Sequence, residues 1–191
     1  GITCGIGYWG SLCCRAGLVT EQPDAAFLDA VVRPYYAAIT AWYATVRVGV
    51  PGGAVQAAVD GALAEAGADF RPLLNPGHLI SYDEWVHSPI RPESTDLLAS
   101  GTMLQCDVIP APLPPGTALN CEDSVILADR ALRDELARDH PELWRRVQAR
   151  RAFMESELGL TLSPDLLPLS PANAYLPPFW LDDELVCVVA G

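Results

Sequence analysis

Lysine is absent from this chain, and all twelve basic residues are arginine. Acidic residues number 24, so the formal net charge is −12. Nucleic acid and anionic membrane surfaces both select a basic patch, and a chain this acidic is not expected to bind either. No stretch has Cys-x-x-Cys spacing, which removes the common structural zinc motifs. No apolar run reaches membrane-spanning length, and no charged-then-apolar leader precedes the first strand. These absences lead to an expectation of a cytoplasmic protein with no membrane partner. Methionine is scarce at two residues, and only three histidines occur: His78, His87 and His140.

What remains is ample for a core. Half of the 191 residues are apolar, enough for one domain spanning 1–191. The six cysteines are Cys4, Cys13, Cys14, Cys106, Cys121 and Cys187, and they sit in apolar, strand-like runs. In a domain of this size they read as buried thiols, without disulfides. Cys13 and Cys14 are neighbours, so on a strand at most one of them faces a site.

In chain order, residues 2–9 and 12–19 read as a hairpin turning at Gly10 and Ser11. Asp24 caps a helix whose stripe includes Phe27, Val31, Tyr35, Ile39, Trp42 and Val46, with Pro34 expected to kink it. A second helix covers 54–66 and ends at Gly67. Strands are expected over 102–109 and 119–128, as an antiparallel pair across a proline-rich connector that cannot sit inside a sheet. Helices follow at 129–138 and, capped by Asp139, up to Gly159. Arg145, Arg146, Arg150 and Arg151 read as a solvated face of the second of these. A proline-broken loop over 163–178 and a last strand over 185–190 complete the reading. Strands at both ends and in the middle, with helix pairs between, define an α+β chain.

The polar chemistry gathers between Asn75 and Ile90. This stretch carries His78 and His87, the carboxylates Asp83 and Glu84, and the aromatics Tyr82 and Trp85. It reads either as a hydrogen-bonded surface loop or as a site on a rigid scaffold. Two further observations bear on the choice. Asp107 interrupts the run Met103 to Ile109, and Glu122 with Asp123 interrupts Leu119 to Leu127. A charge inside an apolar strand is costly unless paired, protonated or bound to a cation. A hairpin sets Asp107 beside Glu122, and two carboxylates with a histidine form a metal or acid–base constellation.

The same residues carry a resemblance. Val46 to Val55 with the helix ending at Gly67, the pair Gly77-His78, His87 to Pro89, the strand from Gly101 to Asp107, and Cys121-Glu122-Asp123 resemble, in order and spacing, the second repeat of the pita-bread catalytic domain. That family includes methionine aminopeptidase, prolidase, aminopeptidase P and creatinase. Tyr8 to Arg15 resembles its first hairpin. The resemblance implies a curved, mainly antiparallel sheet with helices on its outer face, and hydrolysis of a peptide-like or other C–N bond. It implies a peptide or small-molecule substrate and His78, Asp107 and Glu122 as metal ligands. Catalytic roles fall to His78, His87 and Glu122, and substrate contacts to Arg15, Tyr82, Asp83, Glu84 and Trp85. The cofactor is then either one divalent ion (zinc, manganese or cobalt) or none.

Two departures matter. The family draws two metal-binding aspartates from the first hairpin, and residues 5–15 contain none; Asp107 also stands where the family has glutamate. An altered, metal-poor site is therefore expected, with Arg15 as the candidate counter-ion where no metal binds. A creatinase-like metal-free hydrolase and a catalytically inactive peptidase-like binding module stand as alternatives. The family's first repeat has no counterpart in residues 1–191, so an upstream part of roughly a hundred residues or more is expected as a partner. A homodimer is also compatible.

Overall fold

The computed structural model describes residues 1–8, 11–21, 24–80, 87–182 and 184–190, with backbone alone for 2–8, 11 and 12. The first hairpin pairs β1 (Ile2–Tyr8) with β2 (Ser11–Gly17), Tyr8 opposite Ser11. Asp24 then accepts from the amides of Ala26 and Phe27 and caps α1 (Ala25–Phe27). Pro34 falls in the first turn of the helix that follows and not near the middle of one. A π turn over Leu28–Val32 precedes α2 (Arg33–Thr45). Proline has no amide hydrogen and its ring crowds the carbonyl four residues back, and the wider turn takes up that misfit. From α2, Tyr35, Ile39, Trp42 and Tyr43 are fully buried.

Helix α3 (Gly52–Glu65) packs on α2 and ends at Ala66, with Gly67 at φ +68°. Its N-terminus lies against the segment after His87. The Gly52 amide donates to Asp96 O and the Gly53 amide to Ser94 O. A Cβ on Gly52 would stand 1.9 Å from Pro89 O, so only glycine permits this approach.

The main sheet runs β1-β2-β7-β5-β4. It is built from β4 (His78–Leu79), β5 (Met103–Asp107) and β7 (Asn120–Leu127), with β8 (Leu166–Pro168) also on β7. All these pairs are antiparallel. β7 is central: β5 covers one edge, and on the other β2 meets residues 120–122 while β8 meets 125–127. Alternation then separates two chemistries. Leu104, Cys106, Cys121 and Val125 join the buried residues of α2 and α3 in one core. Gln105, Asp107, Glu122 and Ser124 face the other way.

A second apolar cluster joins Ala128, Val147 and Leu167 to residues of α4 (Arg130–Asp139) and α5 (Pro141–Ser156). Four expectations change here. Asp139 closes α4 and pairs with Arg138, and His140 is the residue before α5, because Pro141 occupies the first helical position. Residues 185–190 form no strand: the Cys187 amide donates to Leu176 O and the Val189 amide to Leu158 O, carbonyls outside any strand. Within the proline-rich connector, β6 (Pro110–Ala111) does pair, with β3 (Arg71–Pro72), but only as a two-residue ladder outside the main sheet. Arg145 and Arg146 are exposed as expected, whereas Arg150 donates to Leu169 O and Arg151 to the carbonyls of Ser163 and Leu166.

Candidate metal centre

Three adjacent strands deliver the trio. Asp107 and Glu122 are direct cross-strand partners, and His78 lies opposite Gln105, two residues before Asp107. All three side chains therefore share one face. His78 is delivered by the turn at Asn75 to Gly77. Trp42 Nε1 donates to Pro76 O at 2.7 Å, and Gly77 adopts φ +110°. A Cβ there would sit 2.5 Å from Gln105 O, so the residue before His78 must be glycine.

His78 Nε2 lies 3.9 Å from Asp107 Oδ2 and 3.9 Å from Glu122 Oε1. One ligand atom from each residue lies within 4.8 Å of the other two. The residues are 0, 3 and 5% exposed. At such a separation two ionised carboxylates repel by roughly 3 to 4 kcal/mol at an effective dielectric constant of about 20. That is a large share of a domain's net stability of about 5–15 kcal/mol, and a shared proton or a shared cation relieves it. His78 Nδ1 is 2.9 Å from Leu79 O. A carbonyl only accepts, so Nδ1 carries the hydrogen and Nε2 is the ring nitrogen facing the carboxylates. A second-nitrogen bond of this type is how metal-binding histidines are oriented. Ligand distances of about 2.0–2.2 Å place ligand atoms about 3–4.4 Å apart around one ion. The two 3.9 Å separations from His78 Nε2 lie in that range, and a donor set of one nitrogen and two oxygens suits a divalent cation such as zinc, manganese or cobalt.

The other candidates fall differently. Arg15 is not on the Asp107 or Glu122 carboxylate. Its Nη2 lies 2.9 Å from both Asp123 oxygens, and its remaining hydrogens reach Cys14 O, Glu122 O, Ala172 O and Tyr175 O. The reason is alternation: Arg15 lies opposite Cys121, so it shares the face of Cys121 and Asp123 and not that of Glu122. Burial pushes the Asp123 carboxyl up, and the guanidinium, the Ala174 amide and the Cys121 thiol oppose that shift. Of the vicinal thiols, Cys14 lies opposite Glu122 on the trio's face, while Cys13 reaches Asp123 Oδ1 at 3.6 Å on the other.

His87 is exposed, and its backbone carbonyl accepts from Leu79 N at 2.7 Å. The residue turned inward there is Ser88, whose hydroxyl bonds to the carbonyls of Gly77 and Ile90. Tyr82, Asp83, Glu84 and Trp85 lie outside the described residues. A cavity of about 440 Å³ lined by Gln56, Asp60, Phe70 and Arg71 lies beside α3, away from the trio. It has no convergent set of ligating groups, and the chemistry favours the trio as the site. Gln105 and Ser124 belong to the same face and were not singled out from the sequence, although their even spacing to Asp107 and Glu122 marks them.

Neither the protein-family models nor the curated proteins contain a match to this chain. Solved structures do. A prolidase from Thermococcus sibiricus matches with a TM-score of 0.51 and 21% identity, over 66% of this chain and 34% of that one. An X-Pro aminopeptidase from Thermotoga maritima gives 0.51 and 18%, over 66% and 36%. An Xaa-Pro dipeptidase from Bacillus anthracis gives 0.50 and 19%, over 65% and 35%. The chain thus has the pita-bread fold, of the α+β class, and spans about a third of the length of these proteins. No helix among the described residues is long and apolar enough to cross a membrane.

Proposed function

We propose that this chain forms part of a peptidase-like hydrolase that acts on a peptide-like C–N bond and holds one divalent cation at His78, Asp107 and Glu122. The observation that carries the reading is the burial of one imidazole nitrogen and two carboxylates within 4.8 Å of one another. When bound, a divalent cation supplies Lewis-acid polarisation of a carbonyl and activation of water. The chain's own residues do the rest. Leu79 O fixes the imidazole so that Nε2 faces the ion position. Asp107 and Glu122 supply the charge that retains the ion, and their burial keeps bulk water from screening it. A creatinase-like metal-free site would need a built-in cation, and Arg15, the candidate for it, is bonded to Asp123. The site is metal-poor relative to the family pattern, because residues 5–15 contain no aspartate for a second ion.

That lack of aspartate also supports the second reading, a peptidase-like binding module that retains the site without turnover. The experiment is hydrolysis of Xaa-Pro and other short peptides by the purified chain with manganese, cobalt or zinc. Metal-dependent release of an amino acid, reduced at least tenfold by Glu122→Gln, supports the hydrolase. Ion binding with no release from any peptide favours the binding module.

A further inference from the structure

We propose that Gln105 is a positioning residue for Glu122: its carboxamide, aimed by Ser124, holds the Glu122 carboxylate turned toward His78 and so presets the trio for one cation. The proposal rests on the metal-centre reading above and deepens it.

Gln105 is fully buried in the run Met-Leu-Gln-Cys-Asp, where an aliphatic side chain would cost nothing to desolvate. Its Nε2 donates to Glu122 Oε1 at 3.0 Å. That oxygen is the one 3.9 Å from His78 Nε2. On its other side, Gln105 Oε1 accepts from the Ser124 hydroxyl. A carboxylate oxygen only accepts, so Glu122 fixes which end of the carboxamide faces it, and the Ser124 hydroxyl, which can donate, takes the amide oxygen at the other end. Turned over, the amide would set its oxygen against a carboxylate oxygen.

The relay is anchored behind Ser124. Ser170 Oγ accepts from Ser124 N at 2.9 Å, and Asn173 Nδ2 donates to Ser124 O at 3.1 Å. Residues 170–173 thus pin the strand position from which Gln105 is aimed. A terminal carboxylate torsion is soft, with broad wells. One fixed donor on one oxygen removes most of that freedom before any ion arrives. Partners of this kind are worth about 10–100-fold in metal affinity.

The test uses the whole chain and Co²⁺, read by calorimetry and by visible absorption, in wild type, Gln105→Met and Ser124→Ala. The expected result is Co²⁺ binding about 10–100-fold weaker in Gln105→Met, a smaller loss in Ser124→Ala, and a double variant no worse than Gln105→Met. The cobalt spectrum should change in Gln105→Met, which a merely structural role would not produce. Equal Co²⁺ affinity and an unchanged spectrum in a folded Gln105→Met would overturn the proposal. A second arm needs no metal: in nitrogen-15 spectra, a Gln105 side-chain proton should resonate downfield and lose that shift in Glu122→Ala. An unchanged resonance also overturns it. If the wild-type chain takes up no Co²⁺, the metal-centre reading falls, and the Gln105 resonance still decides whether the amide holds Glu122.

Discussion

Replacing Arg15 by methionine should cost about 3–5 kcal/mol, the range for removing one partner of a buried ion pair. Asp123 is fully buried and Arg15 only 14% exposed, so little solvent screening discounts the figure. Four backbone carbonyls also lose a charged donor, which favours the upper part of the range. Asp123 would keep the Ala174 amide and the Cys121 thiol as donors, which favours the lower. The sign of the pH dependence follows from the direction of the shift. Burial already holds the folded Asp123 carboxyl above its ordinary range, and removing Arg15 raises it further. A raised folded value favours the fold below the unfolded value and loses that advantage as pH rises through the folded one. The deficit should therefore be larger at pH 8 than at pH 5. Urea unfolding at both values, for wild type, Arg15→Met and Arg15→Met/Asp123→Leu, measures it. The double variant should recover a large part of the loss. A single-variant cost under about 1 kcal/mol, or no recovery in the double, would refute this account of how β7 is held.

Gly77→Ala should destabilise by about 2 kcal/mol or more, since φ +110° and a Cβ 2.5 Å from Gln105 O are both unfavourable; thermal melting checks it, and a neutral result would show that the turn before His78 is looser than described. Asp129→Ala removes the side-chain cap on Leu132 N and should cost about 1 kcal/mol in the same assay. Burial pushes the Cys13 thiol up to about 11 and the Cys187 thiol up to about 12. Both folded values lie above an ordinary thiol's, so their contribution is complete below about pH 8.5 and is lost as pH rises through about 11 for Cys13 and about 12 for Cys187. Alkylation of the native chain at pH 9 should leave both slow relative to a small thiol, and rapid labelling of either would contradict their burial.

Much of the site was legible because a charge inside an apolar strand has few explanations. Asp107 and Glu122 stood out on that ground, and Gly77-His78 on the turn before them. The same alternation that pairs Asp107 with Glu122 sends Asp123 to the opposite face, and Arg15 follows it by register. Register is a property of two strands and cannot be read from either one, which is why the sequence alone offers Arg15 as a counter-ion to Asp107 and Glu122 where no metal binds. Gln105 and Ser124 are hard to read from sequence because a neutral polar residue in a strand gives no charge signal. The run 185–190 has a strand's composition, yet its amides at Cys187 and Val189 donate to carbonyls outside any strand, a tertiary choice that composition does not encode. Helix ends read well where a side chain caps them, as at Asp24 and Asp129, and less well at His140, where the proline alone decides.

The central claim is a single cation held by His78, Asp107 and Glu122. Equilibrium dialysis of the purified chain against Zn²⁺ or Mn²⁺, followed by metal analysis, tests it most directly. The account predicts one ion per chain, with uptake lost in His78→Ala and in Glu122→Ala while both variants remain folded by circular dichroism. Two ions per chain, no uptake, or uptake unchanged in those variants would contradict it.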